Sequence, residues 1–453
     1  MFESCRGHVN DVLASLVSAY GSEVIVDPNV VDAYTTDWTR RFTGPAIAVL
    51  RPKTVDTAKQ MFTHLNTLNV VIQIQGGNTG LVGGSIPPPR SSLPVVIVST
   101  SHLKNCDEVD HVSGSITVDA GVTLGELNKI ISAHGWAFGV DLAARETATI
   151  GGMCATNAGG IRVCAFGMMR ENVTGIEFIT LDGTVVSTID KPAKNNTGLQ
   201  LANFAIGSEG VLGLITRVRL RLRRPAQATT VLVIPANTIP DALAWVREAQ
   251  QHTNTLLAAE IIDNVTMELV LHTHSLRPLW TSTATYAVLI EFEGDINLFT
   301  APDDALVASN YAEQRELWKY RELASDSWTS LGDVHKLDVS VPLPHLNQFV
   351  TELSHVFASH HNVTRGGFFG HLADGNLHIE VVGPTFEDFS IDQEILELVA
   401  RTGGSVSAEH GIGRAKADFL NLAHDDAALA VMRQIKTVFD PNGRLNPGVI
   451  FNE

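Results

Sequence analysis

The first strong pattern of apolar and polar positions is "AIAVLRPKTVDTAKQMFTHLNTLNVVIQIQGG". Ala46 to Leu50 is an apolar run of strand length, Thr54 to Leu68 spaces its apolar residues at helical intervals, and Val70 to Ile74 is apolar again. The order predicts a βαβ unit, and it runs into a stretch with five glycines in eleven residues, Gln75 to Ser85. Further on, "SITVDAGVTLGELNKIISAHG" predicts a strand and then a helix, with Thr123 and Glu126 at capping-box spacing. After Arg224 the glycine-rich loops stop. Strands are predicted at "TTVLVIP", "LLAAEII", "TYAVLIEFE", "KLDVSVP" and "LHIEVV". Helices are predicted at "IPDALAWVREAQQ", through "NYAEQRELWKYRELASDSW" and at "HLNQFVTELSHVFASH". The fold class is therefore α+β: a first domain over 1–224, a second over 225–430 with a mixed or antiparallel sheet covered by helices on one face, and a turn-rich tail, 431–453, returning to the first.

Composition removes several functions. Asp plus Glu outnumber Lys plus Arg by 49 to 32, and the net charge of -17 argues against nucleic acid or an anionic membrane as a primary partner. The four cysteines, Cys5, Cys106, Cys154 and Cys164, form no C-x-x-C pair, which excludes a thiolate metal site and fits a reduced interior. No apolar run reaches membrane-spanning length, and "MFESCRGHVNDVLASL" lacks the form of a secretory leader. A cytoplasmic location is expected, with peripheral membrane contact left open.

A glycine loop closing a strand can offer several backbone N–H groups to a phosphate, because without Cβ the ligand approaches closely. The spacing G-G-N-T-G-x-x-G-G is not the dinucleotide G-x-G-x-x-G fingerprint, and no helical pattern follows it. Two further clusters, "TIGGMCATNAGG" and "FAIGSEGVLGLIT", also adjoin apolar runs. Three such segments imply an extended ligand lying along backbone. Together they resemble the flavin-binding segments of the vanillyl-alcohol oxidase / p-cresol methylhydroxylase superfamily, from about Asp37 to the carboxyl terminus. That resemblance implies a two-lobed FAD-binding domain. Its pyrophosphate loop would be Gly76, Gly77, Asn78, Thr79 and Gly80, with Gly84 and Ser85 completing the turn. Its second flavin segment would be Thr149, Gly151, Gly152, Ala155, Asn157 and Gly160, with Ile215 and Asn446 as further flavin contacts. No histidine stands out for covalent attachment, so noncovalent FAD is expected.

The second constellation is "GHLADGNLHIE" with "SVSAEHGIG", which supply His371, His378, Glu409 and His410. A lone histidine is more often a satisfied surface or core residue than a ligand. Two of them flanking an Asp-Gly-Asn turn, plus a glutamate, make an N/N/O set suited to a divalent transition metal with open positions. These segments resemble the metal site of the FAD-linked D-2-hydroxyacid dehydrogenases. The resemblance implies that His371, His378 and Glu409 bind zinc, or manganese, and that His410 is the base. A metal-chelated 2-hydroxy acid has a lowered hydroxyl pKa, a neutral imidazole can take that proton, and hydride at C2 can pass to flavin N5. Glu409 and His410 must then face different ways usefully, so a turn has to break strand alternation there; "EHGIG" has the glycines for one.

Arg321 and Ser325 are spaced i, i+4 on the expected polar helix, and Lys336 opens "KLDVSVP". Without a second signal this is a solvated helix face with a surface lysine. The set resembles the one that holds the distal carboxylate in D-2-hydroxyglutarate dehydrogenases, which makes D-2-hydroxyglutarate the expected substrate. Relatives usually carry Gly at Ala373 and Asn at Glu380. Glu380 should share a face with His378, where it could repel a dicarboxylate, become a fourth metal ligand or hold Lys336. A D-lactate or glycolate dehydrogenase is the alternative within the family. A metal-dependent hydrolase of a nucleotide and a flavin-fold binding protein without turnover are alternatives outside it. The electron acceptor, whether quinone, cytochrome or electron-transfer flavoprotein, leaves no motif; a homodimer is compatible with the chain.

Overall fold

The computed structural model describes residues 2–192, 194–226, 228–253, 255–281, 284–295 and 299–452, with side chains from residue 7 onward. The chain folds as two compact units, Met1–Gly160 with Gly167–Pro225 and His410–Glu453, and Ile161–Phe166 with Ala226–Glu409.

The first unit has two lobes. In one, β1 (Val24–Ile25), β2 (Ala48–Leu50), β3 (Val71–Gln75) and β4 (Val95–Ser99) are ordered β1-β2-β4-β3, with β2, β4 and β3 parallel. Strands covered on both faces read as unbroken apolar runs rather than alternation, as "AVL" and "VVIVS" do. The helix Val55–Thr67 starts where the Thr54 side chain accepts the Thr57 N–H at 3.1 Å, and it lays Ala58, Met61, Phe62 and Leu65 on the sheet. In the other lobe, β5 (Ser115–Asp119), β6 (Val173–Ile179), β7 (Val185–Ser187) and β8 (Leu214–Arg221) form an antiparallel sheet ordered β5-β8-β6-β7. The helix Leu124–Ser132 packs on it and carries the expected capping box: Glu126 N–H to Thr123 Oγ1 at 3.2 Å, Thr123 N–H to Glu126 Oε2 at 2.7 Å.

The second unit is one seven-stranded, wholly antiparallel sheet. Its strands are β9 (Thr229–Ala236), β10 (Thr255–Asp263), β11 (Tyr286–Glu293), β12 (Leu306–Ala308), β13 (Val334–Ser340), β14 (Arg365–His371) and β15 (Asn376–Val382). The order is β12-β9-β11-β10-β14-β15-β13. Helices lie on both faces, where alternation suggested one. Neighbouring residues of β14 show this: a Cβ on Gly366 would lie 2.6 Å from the Phe357 ring of the helix Leu346–Ser359, and one on Gly367 would lie 2.8 Å from Trp328 of the helix Ala324–Thr329. The expected long polar helix is two, Tyr311–Glu322 and Ala324–Thr329, meeting at Leu323.

Two boundaries differ from those expected. Residues 161–166 join the second unit, held by an Arg162–Glu291 ion pair at 3.1 Å and by the Cys164 thiol at 3.3 Å from the Leu257 carbonyl. The return to the first unit begins at His410 rather than 431, because Arg414 N–H donates to Val82 O at 2.8 Å and the Ile412 and Gly413 N–H groups are bound by Glu209. The tail also contains a helix, Asp426–Phe439, before "RLNPG" runs beside β3: Ile72 N–H donates to Arg444 O at 2.8 Å and Asn446 N–H to Ile72 O at 2.9 Å.

Candidate active site

In the first unit the glycine segments converge. A Cβ on Gly76 would lie 2.7 Å from Thr149 Oγ1 and 3.3 Å from Gly152 Cα, and one on Gly77 would lie 1.9 Å from Thr147 O, so the loop after β3 presses its backbone against the start of the helix Ile150–Thr156. On Gly80 a Cβ would meet nothing within 4 Å. Asn78 takes φ +53, donates from its amide to Thr36 O at 3.0 Å and accepts from Ser85 Oγ at 2.7 Å, which holds the loop open around Thr79 and Gly80. Among the described residues the N–H groups of Gly77, Asn78, Thr79 and Gly80 have no acceptor. Consecutive free N–H groups beside open space form a cradle suited to a pyrophosphate, so the residues present fit FAD.

The second segment is shaped by its caps. Thr149 Oγ1 accepts the Gly152 N–H at 3.3 Å, and Asn157 ends the helix at φ +51 while accepting the Arg170 N–H at 2.9 Å. Gly151 abuts Ala120, Ala155 O accepts the Glu209 N–H at 2.8 Å, and Gly160, at φ +137, lies against Asp141 O. Gly84 faces Glu209, whose carboxylate oxygen would be 3.1 Å from its Cβ. Ile215 is buried on β8. The Asn446 side chain is engaged inside the protein, accepting from Ile74 N–H at 2.7 Å and donating to Glu209 O at 2.8 Å.

In the second unit the strand register assembles a polar patch on one sheet face. Opposed in register are Glu260 and His371, His371 and Asn376, His378 and Asp338, Glu380 and Lys336. His371, His378 and Glu409 offer ligand atoms all within 4.8 Å of one another. The segment bearing Glu409 is laid along β13 by reciprocal Ser340–Ser405 backbone bonds of 3.1 and 2.8 Å, and Asp338 Oδ2 accepts the Glu409 N–H at 2.8 Å. Asp338 Oδ1 accepts from Asn376 at 2.8 Å and lies 3.7 Å from His378 Nδ1.

Glu260, wholly buried on β10, accepts from His371 Nδ1 at 2.6 Å and from Arg321 Nε at 2.6 Å. A carboxylate on one ring nitrogen fixes the other as the ligand atom, and His371 Nε2 lies 3.7 Å from Glu409 Oε2. Burial works against charge on His371, yet Glu260 and then Glu409 hold its pKa well above the ordinary value. Burial would raise Glu409 too, but His371 pulls it down to about 2. Two imidazoles and an ionised carboxylate, one imidazole backed by a second carboxylate, fit a divalent transition metal. Sequence reading missed Glu260 and Asp338. The available signal was a single acid inside the apolar strand "LLAAEII", since a charge is seldom buried without a partner.

His410 is the first residue of the chain's return to the first unit; it and Glu409 lie in bends outside any strand, and Gly411 follows at φ +80. The distal set divides. Lys336 Nζ donates to Ser325 Oγ and to Thr329 Oγ1, both at 2.9 Å. Arg321 is buried in its pair with Glu260 and stacks 4.7 Å from the Phe369 ring centroid. Glu380 is also buried, with Oε1 3.9 Å from Lys336 Nζ and Oε2 without a hydrogen-bond partner. Burial pushes its pKa up to about 8 against the pull of Lys336. Ala373 does not take positive φ, so the turn accepts it in place of Gly.

Known proteins agree with this architecture. Residues 46–189 match the family described as "FAD binding domain", and residues 225–450 match "FAD linked oxidases, C-terminal domain". A Bos taurus protein named mitochondrial D-2-hydroxyglutarate dehydrogenase is 33% identical over 96% of this chain and 82% of its own. A Stutzerimonas stutzeri protein named D-2-hydroxyglutarate dehydrogenase is 29% identical over 97% of this chain and 98% of its own. A Schizosaccharomyces pombe protein, provisionally named a mitochondrial D-lactate dehydrogenase, is 31% identical over 94% and 86%. A crystal structure of alkyldihydroxyacetonephosphate synthase superposes with a TM-score of 0.73 at 15% identity, covering 98% of this chain and 84% of that one, a likeness of fold alone. The flavin family match removes the nucleotide-hydrolase alternative. No helix among the described residues is long and apolar enough to cross a membrane. The chain belongs to the FAD-linked oxidases, among the FAD-dependent hydroxyacid dehydrogenases of that family.

Proposed function

We propose that the protein oxidises a D-2-hydroxy acid, D-2-hydroxyglutarate to 2-oxoglutarate, with noncovalent FAD and a divalent metal, zinc before manganese. The observation that carries this is the His371, His378, Glu409 donor set, with Glu260 behind His371. FAD, when bound, supplies two-electron redox capacity, and the metal supplies Lewis acidity at the substrate hydroxyl. The protein's own groups do the rest. Gly76–Gly80 and the Thr149–Gly160 segment hold the cofactor; His371, His378 and Glu409 hold the ion; Asp338 and Glu260 orient them. The His410 imidazole takes the hydroxyl proton. Lys336, with Ser325, supplies the cation for a distal carboxylate, while Arg321 acts indirectly by neutralising Glu260. Electrons leave to a quinone, cytochrome or electron-transfer flavoprotein. The cytoplasmic assignment rests on the cysteine pattern, and several relatives carry mitochondrial names.

D-lactate or a glycolate-type substrate is the second reading, favoured by Glu380: a carboxyl group 3.9 Å from Lys336 competes for the cation a dicarboxylate needs. His410→Ala tests the common core of both. It should retain FAD and metal while substrate no longer reduces the flavin; reduction at the wild-type rate removes His410 as base.

A further inference from the structure

The third glycine-rich segment contains a charged residue that neither the flavin loops nor the metal set explains. Glu209 lies in the turn before β8, is 8% exposed, and takes φ +48. A non-glycine residue in that region is strained and is held there by its surroundings. Its backbone is pinned at both ends: its N–H donates to Ala155 O at 2.8 Å, and its carbonyl accepts from Asn446 Nδ2 at 2.8 Å. Its side chain reaches the stretch that follows His410. Oε1 accepts the Ile412 N–H and Oε2 the Gly413 N–H, each at 2.8 Å.

Two successive N–H groups converging on one carboxylate make an anion nest, and the two-point contact sets orientation as well as position. Fit is close around it. A Cβ on Gly411 would lie 2.9 Å from Oε1, and one on Gly84 would lie 3.1 Å from Oε2. Gly413 in turn abuts Val82, whose carbonyl accepts the Arg414 N–H at 2.8 Å. Glu209 therefore ties the helix Ile150–Thr156 through its backbone N–H to the turn after His410 through its carboxylate, which packs beside Gly84 of the flavin loop. A glutamine there would set an amide N–H against one of the two backbone N–H groups, so the anion and not merely its shape is matched to the site.

We infer that Glu209 is the positioning residue for His410: by clamping the Ile412 and Gly413 N–H groups it fixes the turn from which the imidazole projects, in register with the flavin loop. This rests on the reading of His410 as the base. The test compares holoenzymes of Glu209→Gln, Glu209→Asp and His410→Ala for bound FAD, for half-saturation by D-2-hydroxyglutarate and D-lactate, and for the anaerobic rate of flavin reduction across neutral pH. Glu209→Gln should keep its FAD and its half-saturation constant, lower the maximal reduction rate about ten- to a hundredfold, and displace the pH–rate profile. Glu209→Asp, which keeps the charge but cannot reach both N–H groups, should recover part of the rate.

A Glu209→Gln rate and profile equal to wild type overturn the inference, and if His410→Ala is inactive in the same series the base assignment survives. FAD lost in step with rate in Glu209→Gln also overturns it, leaving Glu209 as a structural part of the flavin loops. A fully active His410→Ala overturns the base assignment and the inference together. Should Glu209→Gln fail to fold, amide hydrogen exchange in the wild-type holoenzyme decides: protection of Ile412 and Gly413 is expected, and exchange at the rate of an open loop overturns the clamp.

Discussion

A glutamate in the middle of an apolar strand is the residue on which the proposed metal donor set depends. Glu260 binds His371 on one oxygen and Arg321 on the other, so its removal frees the imidazole and strands a buried guanidinium. Glu260→Gln should lower zinc affinity about ten- to a hundredfold in a competitive chelator titration; unchanged affinity would mean the carboxylate has no hold on the ligand. On the proposed reading, Lys336 discriminates between substrates. A charge-assisted contact is worth about 1.5–3 kcal/mol, so Lys336→Ala should weaken D-2-hydroxyglutarate roughly ten- to a hundredfold more than D-lactate. Equal losses would give Lys336 to Glu380 and favour the monocarboxylate. At this scale short motifs made His371, His378, Glu409 and His410 candidates, and the fold brings the ligand atoms of the first three within 4.8 Å of one another. The sequence did not reveal Glu260 as the partner of Arg321, because the pair joins a helix and a strand 61 residues apart in the chain.

Among elements, the strands and helices with clean periodicity were legible to within a residue or two, such as Thr229–Ala236 and Leu346–Ser359. β14 was not, because "RGGFFGH" has three glycines and looks like a loop. The structure explains them: helices press on both faces, so neither side has room for a Cβ at Gly366 or Gly367. Gly367→Ala should cost about 1–3 kcal/mol by overpacking against Trp328 and the Asp263 carboxylate. Thermal unfolding with and without bound cofactor checks this, and an unshifted midpoint would show that the second helix layer yields. The polar helix through Arg321 was read as one element because nothing in "YRELASD" marks its interruption at Leu323.

Over the whole molecule, the buried Asp263 should make stability depend on pH below neutrality. Burial lifts Asp263 to about 6, against the Thr266 N–H. An acid whose folded pKa is raised stabilises the fold below its unfolded value and loses that contribution as pH climbs through the folded one. The ordinary value for Asp263 is 3.8, so the contribution declines across the interval up to about 6, by roughly 3 kcal/mol at about 1.4 kcal/mol per unit. The unfolding midpoint should fall as pH rises through this window, less steeply in Asp263→Asn; a midpoint that rises instead would show Asp263 to be already ionised. A change of glycine texture put a boundary near 224 and the resemblance of three glycine segments gave the family, while the placement of 161–166 with the second unit left no signal because its ties are single side chains.

The account stands on a flavin and a metal acting on one D-2-hydroxy acid, and an anaerobic flavin spectrum addresses all three at once. The purified protein is recorded before and after D-2-hydroxyglutarate, L-2-hydroxyglutarate and D-lactate, then again after chelation and after zinc is restored. The account predicts a yellow protein bleached quickly by D-2-hydroxyglutarate, more slowly by D-lactate and not by the L isomer, with bleaching lost on chelation and recovered with zinc. A flavin that no hydroxy acid bleaches, or bleaching indifferent to chelation, would contradict it.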